Sequence, residues 1–309
     1  MVITVTLNPA LDKTIQINNF TIDSVNRVNS VRLDAGGKGI NVSKVIKELG
    51  GYSIAVGLIG GKNGQFIKKY LDNLGIENDF IELDSETRTN IKIIDPVNQT
   101  NTDINESGPV ISEDSLKLIK DTIMKYATED NVIVFSGSVP KGVGKNIYKD
   151  LILDSKKRGA KTILDTEGEL FLEGIKSGPY LVKPNIHELE KAFKITLRDK
   201  KDIVNISKEI IRYGVNYVVV SLGSKGSIFV SKDIAGYIDG IKVNVKSTVG
   251  AGDSMVAALA LALDRNDPFE EGMKLAAATS TASVMTEGSQ TGRIEDVKKI
   301  LNKIRINYI

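Results

Sequence analysis

Strand-like apolar runs recur along this chain with helix-patterned segments between them, and that alternation restricts the fold more than any other feature. The runs are ITVTL (3–7), IAVGLIG (54–60), NVIVFSG (131–137), TILDT (162–166), YLVKPN (180–185) and YVVVSLG (217–223). In GINVSKVIKELG, Val42, Val45, Ile46 and Leu49 follow the i, i+3, i+4, i+7 spacing of a helix face, with Gly50 placed to end it. The same pattern predicts helices over 64–74, 112–127, 145–158 and 202–213, with Gly75, Gly159 and Gly214 as terminators. Strands separated by helices need crossover connections, which build a mostly parallel sheet covered on both faces. Runs without a polar alternate agree, because such strands are buried on both sides.

Two segments break the rhythm, at about 13–34 and 87–105, where TIQINNF, RVNSVRL and TNIKIID alternate polar and apolar residues. That alternation predicts antiparallel strands with one wet face, joined as a small sheet projecting from the main body. Such a sheet can act as a lid, as decoration, or as a contact between copies through its exposed edges.

Composition narrows the function. The 309 residues carry 41 basic and 39 acidic side chains, a net charge of +2, so no sequence-independent nucleic-acid surface is expected. The absence of cysteine excludes disulfides and thiolate metal sites, and a single histidine, His187, excludes multi-histidine metal centres and disfavours a Ser-His-Asp hydrolase. MVITVTLNPALDKT reads as a first core strand and not as a leader, and MVAALALALD (255–264) is too short to span a bilayer. A cytoplasmic enzyme without membrane or nucleic-acid partners is expected.

The residues that carry chemistry lie in glycine-rich loops. STVGAGDS (247–254) sets Gly250, Ala251 and Gly252 before Asp253 at the start of a long apolar helix. Unpaired N–H groups at a helix start can seat an anion, with the carboxylate beside it to accept a proton from an attacking hydroxyl. The same residues also read as a tight turn with Asp253 as a first-turn acid. AGGKGINV (35–42) supplies three glycines with Lys38 and Asn41, either for close approach to a ligand or simply to turn the chain into a helix. NPALD, SGSVP and SLGSKG follow core strands, where open parallel sheets bind ligands. Familiar nucleotide motifs fail: GVGKN (142–146) lacks the Walker A spacing, and GAGDSM and GKGINV place Met255 and Val42 where a Rossmann loop needs a small residue.

AGGKGINVSKVIKELG and STVGAGDSMVAA, with TLNPALD, SGSVP, KPNIHELE and VSLGSKG in order before or between them, resemble the ribokinase-like (PfkB) carbohydrate kinase family over essentially the whole chain. TRTNIKI and TDINESGPVIS are most similar to the phosphosugar branch that acts on fructose 1-phosphate. The resemblance implies a three-layer αβα sandwich with a mostly parallel central sheet, one domain over 1–309, and a small antiparallel β lid through which a homodimer forms. It implies ATP-dependent phosphorylation of fructose 1-phosphate at O6, with tagatose 6-phosphate or fructose 6-phosphate as alternative acceptors and an idle nucleotide-binding protein as the non-enzyme alternative. Asp253 would be the base and Gly250, Ala251 and Gly252 the anion hole. Asp12, Gly37, Lys38, Asn41 and Ser138 would line the sugar, and Arg88, with Arg27, would meet the phosphate it carries. Ser221, Gly223, Gly226, Lys183 and Asn185 would lie along ATP, and Glu188 with Asn185 would hold Mg²⁺ through water.

Overall fold

The computed structural model describes residues 1–288 and 290–309. The chain begins with β1 (Val2–Thr6), β2 (Ala10–Gln16), β3 (Ser30–Gly36), α1 (Lys38–Glu48), β4 (Ser53–Gly60), α2 (Gly61–Asn73) and β5 (Glu77–Leu83). There follow β6 (Thr89–Asp95), β7 (Thr100–Asn105), α3 (Glu113–Lys125), β8 (Val132–Ser136), α4 (Ile147–Lys157), β9 (Lys161–Asp165), α5 (Gly168–Ile175), β10 (Leu181–Val182) and α6 (Ile186–Phe193). The last third holds α7 (Lys200–Ile211), β11 (Tyr217–Ser221), β12 (Gly226–Val230), β13 (Ala235–Asp239), α8 (Ala251–Asp264), α9 (Phe269–Ser283), α10 (Ile294–Leu301) and β14 (Asn307–Tyr308).

Every expected core strand and helix is present, and the main sheet runs in the order β14-β13-β12-β11-β10-β9-β8-β1-β4-β5. From β5 to β11 its pairs are parallel, and β12, β13 and β14 add an antiparallel edge that the periodicity of the sequence did not reveal. Successive residues of a strand enter opposite cores. Ile133 and Phe135 of β8 pack with Tyr148 of α4 and Phe171 of α5, whereas Val132 and Val134 pack with Val42 of α1 and Val256 of α8. These strands therefore lack a polar alternate: neither face meets water. The result is three layers, helix on sheet on helix. Among the described residues no helix is long and apolar enough to cross a membrane.

The second sheet has the order β3-β2-β6-β7. Its outer pairs are antiparallel, but β2 and β6 run parallel, with Asp12 opposite Asn90. Both strands follow carboxyl ends of parallel core strands, β1 and β5, so they leave the main sheet in the same direction. β2 also begins at Ala10, earlier than the alternating segment indicates, which puts Asp12 within a strand and not in a loop.

Candidate active site

Two helices start side by side at the carboxyl edge of the main sheet. α8 begins after Gly250, whose φ of 80° lies in the left-handed region that glycine tolerates, and α1 begins after Gly37. No side chain caps either start. The Ala251 N–H donates to the Thr248 carbonyl at 3.5 Å, and the next N–H groups, of Gly252 and Asp253, have no acceptor among the described residues and are available to an anion, with the positive end of the macrodipole behind them. Asn41 in the first turns of α1 donates from Nδ2 to Oδ2 of Asp253 at 2.8 Å, joining positions 212 residues apart in sequence. Asp253 is 7 % exposed.

Behind these helix starts lies a buried charge cluster that the sequence reading did not identify. Asp165, the last residue of β9, faces Lys38 Nζ and Lys183 Nζ, each at 3.4 Å. Neither Asp165 oxygen has a hydrogen-bond donor among the described residues, so the two lysines hold it by charge. Burial works against the charged form of Asp165, but Lys183 and Lys38 outweigh it and keep the carboxyl below the usual aspartate range. Burial likewise opposes a charged Lys38, and the Asp165 carboxylate overcomes it, keeping Lys38 above the usual lysine range. Lys183 underlies the anion site: a Cβ placed on Gly252 would sit 3.3 Å from its Nζ. Asp253 itself is pushed up, mainly by burial, while Lys38, the Asn41 hydrogen bond and Lys183 oppose the shift. A buried carboxylate with a raised pKa beside an open helix start and two cations can take a proton next to a developing phosphoryl charge.

The second sheet brings Asp12 to the same region. Asn90 donates from Nδ2 to Asp12 Oδ1 at 3.0 Å, and burial raises the Asp12 carboxyl. A Cβ on Gly36 would collide with that carboxylate, so the glycine leaves room for Asp12 in its present position. Arg88 is more committed than its sequence context implies. Its Nε and Nη2 donate to the Asn8 carbonyl at 3.3 and 3.0 Å, and Nη1 donates to the Glu106 carbonyl at 2.8 Å. One N–H on each terminal nitrogen remains for a phosphate. Ser138 Oγ accepts from Asn8 Nδ2 at 3.2 Å, so Asn8 links the NPALD and SGSVP loops. Arg27 stands apart, exposed in the loop between β2 and β3.

Two residues after Lys183, Asn185 forms a reciprocal capping box with Glu188 at the start of α6. Asn185 Oδ1 accepts from the Glu188 N–H at 2.9 Å, and Glu188 Oε2 accepts from the Asn185 N–H at 2.8 Å. Ser221 bridges to Asn185 from the end of β11, and Gly223 opens the turn beyond it. Gly226 begins β12, where a side chain would strike the Ile238 carbonyl, so its glycine is explained by strand pairing. Among the described residues no three His, Cys, Asp or Glu side chains form a metal cage. With Asn185 Oδ1 and Glu188 Oε2 engaged in the cap, the remaining Glu188 oxygen is a hard donor that fits Mg²⁺ only as an ion retaining most of its water.

Of the residues expected to act together, Asp253, Asn41, Lys38, Lys183 and Gly252 form one cluster, with Asp12 on β2 and Arg88 and Ser138 in loops beside it. Asp165, Asn8 and Asn90 were not singled out in the sequence. The position of Asp165 at the carboxyl end of a core strand was the one available signal.

A family model described as pfkB family carbohydrate kinase matches residues 5–296. A 1-phosphofructokinase from Borreliella burgdorferi is 38 % identical over 310 aligned positions, covering 100 % of this chain and 99 % of the relative. A tagatose-6-phosphate kinase from Staphylococcus epidermidis is 35 % identical over 302 positions and 96 % of both chains. Among solved structures, phosphofructokinase-2 from Escherichia coli superimposes with a TM-score of 0.93 over 98 % of each chain at 29 % identity.

Proposed function

The chain belongs to the pfkB family of carbohydrate kinases and is a sugar-phosphate kinase, and from that premise we propose that it transfers the γ-phosphoryl group of ATP to O6 of fructose 1-phosphate. The products are fructose 1,6-bisphosphate and ADP. The observation that carries the reading is the Asn41–Asp253 contact, which holds a buried carboxylate beside an uncapped helix start.

In this mechanism Asp12, oriented by Asn90, accepts hydrogen bonds from sugar hydroxyls, and Gly37 lets the sugar approach the main chain. Asn41 aims Asp253 at the primary hydroxyl, and Asp253 takes its proton as the oxygen attacks. The N–H groups of Gly252 and Asp253 after Gly250 and Ala251 receive the charge of the transferring phosphoryl group, with Lys38 and Lys183 as nearby cations. Asp165 faces both lysines and favours the charged form of Lys38. The two free Arg88 N–H groups, with Ser138 at the neighbouring loop, receive the phosphate already on the sugar. Magnesium, where bound, would be held through water by Glu188 and would neutralise nucleotide phosphate charge. Ser221 and Gly223 lie at the strand end that would border the nucleotide.

The molecule acts as one kinase domain, with 13–34 and 87–105 forming its lid and a second copy completing a dimer through that lid. Tagatose 6-phosphate is the competing acceptor, favoured by the 35 % identical relative of that name. Both sugars present one phosphate and one primary hydroxyl at opposite ends. Initial rates with MgATP and fructose 1-phosphate, tagatose 6-phosphate or fructose 6-phosphate test the assignment. The expected kcat/KM is highest for fructose 1-phosphate, by about tenfold or more, equivalent to about 1.4 kcal/mol of transition-state discrimination. A higher value for tagatose 6-phosphate transfers the assignment to that sugar, and no turnover with any of the three removes it.

A further inference from the structure

A cavity of about 320 Å³ lies against the second half of α1, lined by Lys44, Lys47 and Glu48 together with Asp34 of β3 and Tyr70 of α2, with Leu74 just beyond α2. That volume accommodates a small metabolite. Its charges are unequally satisfied. Asp34 Oδ2 accepts from Arg32 Nε at 2.7 Å, which neutralises it. Glu48 Oε1 accepts from the Ile294 N–H at 3.1 Å, at the start of α10, where the helix dipole favours a negative charge. Neither lysine forms an ion pair among the described residues, and Lys44 Nζ lies 6.0 Å from the centre of the Tyr70 ring.

Lys44 is 8 % exposed and its Nζ donates once, to the Ala35 carbonyl at 2.9 Å. Among the described residues it forms no ion pair, although an ammonium carries three donors. Burial holds it below the usual lysine range, against the pull of Asp34 and Asp12. Lys47, one turn on along the same face of α1, donates to the Gly75 carbonyl at 2.9 Å and has two donors left. A buried cation facing a cavity with spare donors, next to a second cation and two carboxylates that already have partners, offers an anion what solvent otherwise must supply.

We propose that this cavity binds a small oxyanion, a phosphate monoester or a carboxylate, and that its occupant tunes the phosphosugar site. The connection is short. Lys44 holds the carbonyl of Ala35, and the next two residues are Gly36, which touches the Asp12 carboxylate, and Gly37, which opens α1 ahead of Asn41. An anion that draws Lys44 toward the cavity loosens its hold on the strand carrying those glycines.

The chain contains no tryptophan, so Leu74→Trp places a single reporter at the cavity rim. The full-length reporter is titrated with inorganic phosphate, glycerol 3-phosphate and citrate, in parallel with calorimetry on the unmodified chain. A saturable fluorescence change with at least one of them is expected, persisting when fructose 1-phosphate is saturating. Lys44→Met and Lys47→Glu, each in the reporter background, are expected to weaken that binding by about tenfold. The same anion is expected to change the phosphosugar KM by about threefold or more. Lys47 is exposed, so its replacement leaves the core intact and decides the matter should Lys44→Met fail to fold. No saturable change, displacement by fructose 1-phosphate, unweakened binding in either folded variant, or an unchanged KM overturns the proposal.

Discussion

Asp253 is the proposed base, and its surroundings act on its protonation in opposite directions. Burial lifts its carboxyl, and Lys38, Asn41 and Lys183 oppose the lift. Asp253→Asn keeps the size of the side chain but cannot accept the proton. The expected result is a loss in kcat of about 10²–10⁴-fold, with ATP affinity retained in a direct binding titration; near-normal turnover would remove the residue from that role. The pH dependence follows from the same contacts. Because the folded pKa is raised, the ionised base is lost as pH falls through a value above the usual aspartate range, giving kcat/KM an acidic limb. Removing a neighbouring cation raises that value further. Lys38→Met is therefore expected to move the limb to higher pH, whatever it does to the rate, and an unmoved limb would separate Lys38 from Asp253. Much of this site was legible: the two glycine motifs that carry Asn41 and Asp253 were readable 212 residues apart. Asp165 was not. A lone acid in an apolar run does not reveal that two lysines, from α1 and from the segment after β10, will converge on it.

At the scale of elements, the periodicity of buried strands and helices carried much of the core, whereas the long helix α9 and the short and edge elements escaped. β12, β13 and β14 lie at one margin of the sheet and α5 and α6 have only eight residues each, too few turns for a clear stripe. The parallel pairing of β2 with β6 depends on which edge both segments leave, a property of the assembled sheet. α6 shows how one motif can serve two purposes. Its capping box fully accounts for the Asn185–Glu188 spacing, yet one Glu188 oxygen is left over. Glu188→Gln separates the two, since glutamine can still accept from the Asn185 N–H. Tm is expected to stay within about 1 °C of the parent, because the cap survives and its full loss is worth only about 1 kcal/mol. The Mg²⁺ concentration giving half-maximal velocity is expected to rise several-fold. An unaltered Mg²⁺ dependence would leave Glu188 as a cap alone.

For the whole molecule, the second sheet has two unlike faces, and the difference indicates what covers it. Register places Val31, Ile15, Ile93 and Thr102 in one row across the sheet and Leu33, Lys13, Ile91 and Ile104 in the next. Because strand side chains alternate, both rows share a face, and that face is largely apolar. The opposite face carries Asp34, Asp12, Asn90 and Asn105, the polar side proposed to meet the sugar. Val31, Leu33 and Ile104 remain exposed, as do Ile22, Val25 and Val28 in the loop that carries Arg27. An apolar edge strand and an apolar sheet face left open to water favour association with another such surface. A second copy supplies one of the same chemistry, and the packing would bring Arg27 of each loop toward its neighbour. Val31→Asp puts a charge in the middle of the apolar face, where burial without a partner is costly. By analytical ultracentrifugation at micromolar concentration, the parent chain is expected to sediment as a dimer and Val31→Asp as a monomer with unchanged circular dichroism. If Arg27 meets the phosphosugar across that dimer, the monomer loses one charge-assisted hydrogen bond, and its KM rises about tenfold with kcat less affected. A monomeric parent would remove the dimer. A monomeric variant with an unchanged KM would keep the dimer but return Arg27 to the surface.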